Sequence, residues 1–211
     1  MIRLFIADDH AIVREGLKQI LARESDLQVC GEADNGKEAV RRLLAEDFDV
    51  VLLDVTMPEA GGFDVLTRMR REKPKLPIII LTMHDEEILA RRFLKAGAVG
   101  YLTKDAAPAQ LVAAVRKVAR GGKYLSEDLM ERLMEELGSD ESDKPPHEKL
   151  SDREFAILCK LASGMTLSEV ARHFHVAAST VSTQRARILE KLNLRNNAEL
   201  THYAIKNGLV S

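Results

Sequence analysis

The 211-residue chain contains no tryptophan, and only 4 % of its residues are aromatic, so aliphatic side chains must supply its packing. It has two cysteines, Cys30 and Cys159, with no CxxC pair or metal-ligand spacing around either. A disulfide framework and a zinc site are therefore excluded, and both cysteines read as buried small hydrophobes of a reducing compartment. No apolar run approaches the roughly 18 residues of a membrane span, and the N-terminus has no signal-peptide pattern, so a soluble, cytoplasmic protein without a membrane partner is expected. Neither a P-loop nor a GxGxxG segment occurs. The formal net charge of -2 implies no partner by itself, but it is unevenly spread. Residues 145–211 carry +3 and residues 1–144 carry -5, an asymmetry that either hints at a nucleic-acid-facing C-terminus or is scatter of surface charge.

What is present is alternation. IRLFIA (2–7), LQVCGEA (27–33), DVVLLD (49–54), PIIILT (77–82) and VGYLT (99–103) are strand-like. Between and after them, residues 10–23, 37–46, 63–72, 85–97 and 108–122 carry apolar residues at helical spacing. The third and fourth strands are apolar at almost every position, so both of their faces must be covered. Five βα units with right-handed crossovers predict an α/β, doubly wound parallel sheet with helices on both faces over 1–122. Residues 123–147 read as an interdomain linker with a helix near 126–137, and SDESDKPPHEK (139–149) is charged and Pro-Pro-containing. Over 148–211 only helices are predicted. Ser151 with Glu154, and Thr166 with Glu169, have capping-box spacing, and Asn196 with Glu199 opens a last helix. The result is a small all-α domain of four helices, with a short turn joining its second and third: a helix-turn-helix candidate.

Ligands of an open parallel sheet bind beyond the carboxyl ends of its strands. Those ends deliver Asp8 and Asp9, Asp54, Thr82 and Lys104 to one rim. Taken singly, each has a plainer reading: an aspartate that turns the chain or caps a helix, a solvated lysine. Jointly they form a charge problem. Three converging carboxylates disfavour joint ionisation, and a hard divalent cation such as Mg²⁺ resolves that. With Lys104 as a second cation and Thr82 as a hydroxyl donor, the set suits phosphoryl transfer, and Asp54 is the natural nucleophile.

In the helical tail, STVSTQRARILEKL (179–192) puts Val181, Ile188, Leu189 and Leu192 on one face. Thr183, Ala186, Arg187 and Glu190 lie opposite, with Ser182 on a flank and Arg185 toward the core edge. Small and polar side chains on an exposed face suit entry into a major groove, although an ordinary amphipathic surface helix has the same pattern. His173 and His175 are two apart on a helix and do not converge on a metal.

IADDH, VVLLDVTMP, ILTMHD and GYLTKD, in that order, resemble the receiver domain of two-component response regulators, which has a flavodoxin-like fold. Residues 148–211 resemble the LuxR-type helix-turn-helix domain, so the whole chain looks like a NarL/FixJ-class response regulator. The resemblance implies that Asp54 is the phosphoacceptor, charged by a sensor histidine kinase. It implies Asp9 and Asp54 as direct Mg²⁺ ligands, Asp8 acting through water, and the Thr56 backbone carbonyl as a further ligand. Thr82 and Lys104 would bind the phosphoryl group and Tyr101 would be the switch residue. In the second domain, Ser182, Thr183 and Ala186 become base-edge candidates. Arg185, Arg187, Lys191 and the Thr166–Ser168 helix start become phosphate candidates on double-stranded DNA. A homodimer formed on phosphorylation and RNA polymerase are the implied partners.

The chain also departs from the family pattern. Met83 stands where a small residue is commonest, which predicts crowding of the phosphoryl group and slow hydrolysis. Asp105 follows Lys104 in place of Pro, Ala177 replaces a Ser or Thr cap, and Ser182 and Gln184 replace a frequent Lys and His. Two other readings are an aspartyl-phosphate enzyme and an interaction module that is never phosphorylated. The haloacid dehalogenase pattern needs an acid two residues past the nucleophile, where Thr56 stands. The complete set of Asp8, Asp9, Asp54, Thr82 and Lys104 argues against a degenerate receiver.

Overall fold

A computed structural model of the chain describes residues 1–83, 87–106, 108–136, 145–174, 176–207 and 209–210. The end of the ILTMHD segment, His175 and residues 139–144 of the charged stretch lie outside them. The chain divides into two compact units, Met1–Glu135 and Glu136–Ser211.

The first unit is built on strands β1 (Ile2–Ala7), β2 (Leu27–Ala33), β3 (Val50–Asp54), β4 (Ile78–Thr82) and β5 (Gly100–Thr103). All pairings are parallel and the order is β2-β1-β3-β4-β5. Helices α1 (Ala11–Leu21), α2 (Gly36–Ala45), α3 (Gly62–Glu72), α4 (Glu87–Lys95) and α5 (Pro108–Ala119) alternate with them.

Side chains of a strand alternate between faces, and each face has its own core. Phe5, Val51, Leu53, Ile78 and Ile80 pack with Ala39 and Leu43 of α2, Leu66 and Met69 of α3, and Phe93 of α4. Leu4, Ile6, Val50, Leu52, Ile79 and Leu81 pack with Leu17 and Leu21 of α1 and Leu111 and Val115 of α5. Each of these strand residues is fully buried or nearly so. At roughly 1.5–3 kcal/mol for each large aliphatic side chain, this double burial is what holds the central strands in place. The strand order reverses between β1 and β3, and a ligand cleft is expected there.

The sheet unit runs past residue 122, where the sequence suggests a boundary. Tyr124 forms a parallel bridge to Gly100, with the Tyr101 amide donating to the Tyr124 carbonyl at 3.1 Å and the Tyr124 amide to the Val99 carbonyl at 2.9 Å. Helix α6 (Glu127–Glu136) follows, and its Leu129 is buried in the same core as Tyr101 and Phe93. The expected helix near 126–137 is there, and its apolar face belongs to the sheet unit.

The second unit holds a 3-10 turn at Pro146–Lys149 and helices α7 (Asp152–Ala162), α8 (Leu167–His173), α9 (Ala178–Leu192) and α10 (Asn197–Lys206). Both capping boxes expected from Ser151/Glu154 and Thr166/Glu169 form, with each side chain bonded to the other residue's amide. At α10 the Asn196 side chain accepts from the Glu199 amide, but Glu199 accepts from Arg195 N–H in place of the cap residue's own. Ala177 caps α9 with no side-chain hydrogen bond, as its methyl dictates. Cys30 and Cys159 are only partly buried, and Cys30 packs at the margin of the core beneath α2 and α3. No helix among the described residues is long and apolar enough to cross a membrane.

Candidate functional site

The rim is set by strand register. β1 and β3 pair through Ala7↔Leu53, so Asp8 and Asp54 leave adjacent strands at one level. β4 and β5 pair through Thr82↔Thr103, and the Lys104 amide donates to the Thr82 carbonyl at 2.7 Å. Two glycines let the loop after β3 pack closely on its neighbours. A Cβ on Gly62 would lie 2.2 Å from the Asp54 carbonyl oxygen, and one on Gly36 would lie 1.9 Å from that of Ala60. Between them Glu59 adopts φ 65°, at the centre of a γ-turn closed by the Ala60 amide on the Pro58 carbonyl at 2.8 Å.

Asp8 and Asp54 are buried, and Lys104 lies between them, its side chain only 4 % exposed. Lys104 Nζ is 2.8 Å from Asp8 Oδ2 and 3.0 Å from Asp54 Oδ2. Burial pushes the Asp54 carboxyl up to about 6; the Lys104 charge opposes this, the Asp8 charge adds to it, and the Thr56 amide opposes it again. Burial alone would lower Lys104, but Asp8 and Asp54 outweigh it and hold the ammonium above its ordinary value.

One ammonium between two buried carboxylates leaves a negative charge uncompensated, and Asp9 adds another at the mouth. Ligand atoms of Asp8, Asp9, His10 and Asp54 all lie within 4.8 Å of one another. An oxygen-rich set with an excess of negative charge fits a hard divalent cation. His10 belongs to this cluster and is not singled out by the sequence: Nδ1 is 2.8 Å from Asp9 Oδ1 and 3.4 Å from Asp8 Oδ1. Its signal was its place directly after the aspartate pair.

Asp8 does not cap α1. The N-cap is His10, whose side chain makes no cap bond, and Asp8 Oδ1 accepts from the His10 amide at 2.8 Å. Thr82 is buried at the end of β4, and Tyr101 is buried on the same sheet face, since Ile80 pairs with Tyr101 two residues before Thr82. Met83 is 66 % exposed, so its side chain stands at the mouth and outside the buried part of the rim.

In the second unit, Val181, Ile188, Leu189 and Leu192 of α9 are buried. Ser182, Thr183, Ala186 and Arg187 are exposed together along the opposite face. Thr166 and Ser168 are exposed at the start of α8, where the Thr166 hydroxyl is engaged with Glu169. Two cations are tied down. Arg185 Nε donates to Asn197 Oδ1, and Lys191 Nζ is 2.6 Å from Glu154 Oε2. Burial would raise Glu154, but Lys191 and the Ser151 amide and hydroxyl outweigh it and hold the carboxyl below its ordinary range.

A parallel sheet of this order with an acidic rim, followed by a small helical unit, is the arrangement of a regulator with a receiver module. Residues 4–116 match the response regulator receiver domain, and residues 148–204 match the bacterial regulatory proteins of the luxR family. Response regulator UvrY of Escherichia coli K12 is 36 % identical over 209 residues, covering 99 % of this chain and 96 % of that protein. Response regulator GacA of Pseudomonas aeruginosa is 33 % identical over 210 residues, covering 100 % and 98 %. Among solved structures, RcsB of Salmonella enterica serovar Typhimurium, bound to promoter P1flhDC in the presence of the phosphomimetic BeF3⁻, is similar with a TM-score of 0.69. That likeness has 26 % identity and covers 96 % of this chain and 97 % of RcsB. The chain belongs to the two-component response regulators of the NarL/FixJ class, with a receiver domain followed by a LuxR-type helix-turn-helix DNA-binding domain.

Proposed function

We propose that the protein is a cytoplasmic transcription regulator switched by phosphorylation of Asp54. The observation that carries the reading is the Lys104 ammonium between Asp8 and Asp54, with ligand atoms of Asp8, Asp9, His10 and Asp54 within 4.8 Å of one another. A histidine kinase that presents phosphohistidine is the donor class. An Asp54 carboxylate oxygen forms the new P–O bond as the P–N bond to the imidazole breaks, and the imidazole leaves with the bonding pair. Asp54 must be ionised to attack, which its carboxyl near 6 allows at neutral pH. Lys104 offsets charge on the transferred oxygens, and the Thr82 hydroxyl donates to one of them. Mg²⁺, held by Asp8, Asp9, Asp54 and the Thr56 carbonyl, would neutralise the carboxylates and the phosphoryl oxygens. Water attack on the acyl phosphate returns Asp54 and phosphate; Met83 at the mouth slows that water.

The phosphoryl group draws Thr82 toward Asp54 and frees space on the face it shares with Tyr101. Tyr101 then shifts, biasing dimerisation. In the DNA complex, α9 enters the major groove with Ser182, Thr183 and Ala186 on base edges. Arg187 and the Thr166–Ser168 start of α8 contact phosphates directly. Arg185 and Lys191 reach phosphates by exchanging Asn197 and Glu154 for them. The similar protein RcsB has been solved bound to promoter DNA in the presence of the phosphomimetic BeF3⁻, which supports the reading that this chain binds DNA in its phosphorylated state. RNA polymerase is the expected downstream partner.

Incubating the chain with Mg²⁺ and a small phosphodonor such as acetyl phosphate should add one phosphoryl group by mass, and Asp54→Ala should abolish it. Labelling that persists in Asp54→Ala refutes the site. DNA binding should weaken steeply as salt rises; a flat response sinks the DNA reading.

A further inference from the structure

The phosphorylation pocket presents an asymmetry between its two N-terminal carboxylates. Asp8 has every polar group engaged. Its amide donates to the Ala33 carbonyl at 3.1 Å, and its Oδ1 accepts from the His10 amide at 2.8 Å. Its Oδ2 lies 2.8 Å from Lys104 Nζ, and its carbonyl accepts from Arg14 NH1 at 2.7 Å. Asp9, the carboxylate that faces the mouth, has a side chain 31 % exposed that lies against His10 Nδ1 at 2.8 Å. Its direction is therefore left largely to its backbone.

A peptide unit is planar, so holding one carbonyl fixes the amide bonded to it. Arg14 holds the Asp8 carbonyl and with it the plane that carries the Asp9 amide. The Asp8 side chain, bonded two residues on in an Asx turn, fixes the next plane, between Asp9 and His10. Both planes flanking Asp9 are thus fixed, one of them by a residue a full turn into α1. Arg14 is itself oriented. Its Nε is 3.3 Å from Glu32 Oε2 on β2, and its side chain is 17 % exposed. Glu32 is shared with Lys18, whose Nζ is 3.1 Å away and also bonds Glu15. A guanidinium can serve a carbonyl and a carboxylate at once from its fixed fork, whereas an ammonium is a point charge.

We infer that Arg14 is a positioning residue for the divalent cation, acting through the Asp8–Asp9 peptide and not by touching the ion. The inference rests on the proposed Mg²⁺ pocket and adds to it a residue outside the rim. It also has a sign that separates it from simple electrostatics. Removing a positive charge near an acidic site strengthens cation binding. Releasing the peptide that aims a ligand weakens it, and loss of an orienting partner of a metal ligand typically costs 10–100-fold in affinity.

The test is Mg²⁺ titration by calorimetry on the full chain, with thermal melting in the absence of Mg²⁺ as control. Arg14→Gln should bind Mg²⁺ about 10-fold more weakly. Arg14→Lys, which keeps the charge and folds most safely, should fail to restore affinity. Glu32→Gln, which leaves Arg14 in place without its carboxylate, should show a smaller loss in the same direction. A lowered melting temperature with unchanged Mg²⁺ affinity, or tighter binding in Arg14→Gln, overturns the inference while the pocket stands. A wild-type chain that takes up no Mg²⁺ sinks the pocket reading and the inference with it.

Discussion

The two units place charge by opposite rules. In the sheet unit the central charges of the candidate site are buried: Asp8, Asp54 and Lys104 have almost no exposed side-chain surface, and the sheet holds them. In the helical unit the candidate DNA face of α9 is exposed, and the exposed Lys191 reaches the buried Glu154 carboxylate, tying α9 to α7. Buried charge costs stability and gains reactivity; exposed polar side chains cost little and gain access. The difference follows from the proposed partners. A phosphoryl group is small and is bound by enclosing it, while a duplex is large and must be met on an open face.

The sharpest way to break the contrast is Lys104→Ala. It leaves two buried carboxylates with no ammonium, and a loss of about 3–5 kcal/mol is expected in urea unfolding without Mg²⁺. A change below 1 kcal/mol would mean that the pocket is solvated and the contrast is false.

Asp54→Asn should act in the other direction. The folded Asp54 carboxyl titrates near 6, above its ordinary 3.8, so between these values the folded chain holds the extra proton. This group's contribution is most favourable below about pH 4 and is lost as pH rises through 6. The neutral amide escapes that loss. Without Mg²⁺ the variant should gain on the order of 2–3 kcal/mol over wild type at pH 8, and the gap should close toward pH 4. A gap independent of pH would assign the effect to something other than Asp54 ionisation.

A pair of variants on α9 tests the other half. Lys191→Ala removes one of the three groups bonded to the buried Glu154 carboxylate, leaving those of Ser151, and should lower stability by about 0.5–1.5 kcal/mol. Arg187→Ala should leave stability within about 0.5 kcal/mol while reducing the salt dependence of DNA binding by about one phosphate contact. The opposite assignment, with stability lost at Arg187 and not at Lys191, would reverse the reading of that helix. The smallest expected effect is at the start of α9, where Ala177 leaves the helix uncapped. Ala177→Ser should raise the thermal midpoint, by an increment of about 0.5–1 kcal/mol, with DNA affinity unchanged.

Much of this is legible in the sequence. Apolar runs marked β3 and β4 because a strand covered on both faces has no polar register to hide it. Two capping boxes marked α7 and α8 because the cap chemistry is local. The place of Tyr124 on the edge of β5, and of Leu129 in the core, was not legible. A bridge between residues 24 apart leaves no periodic trace, and α6 looks amphipathic whichever neighbour it covers. The pairing of Lys191 with Glu154 was hidden for the same reason: 37 residues separate them. Exposure of Met83 and partial burial of the two cysteines also depend on neighbours that local pattern does not name.

By itself the sequence determined the alternation that makes a parallel sheet, the acids and the lysine at its strand ends, and the apolar face of α9, because periodicity and chain order dictate these. Only the tertiary structure decided which charges meet. It put Lys104 between Asp8 and Asp54, Lys191 on Glu154, and Arg14 between the Asp8 carbonyl and Glu32. Ion pairs and peptide clamps form over a few ångströms in space, and the register of strands and the crossing of helices, not nearness in sequence, set those distances.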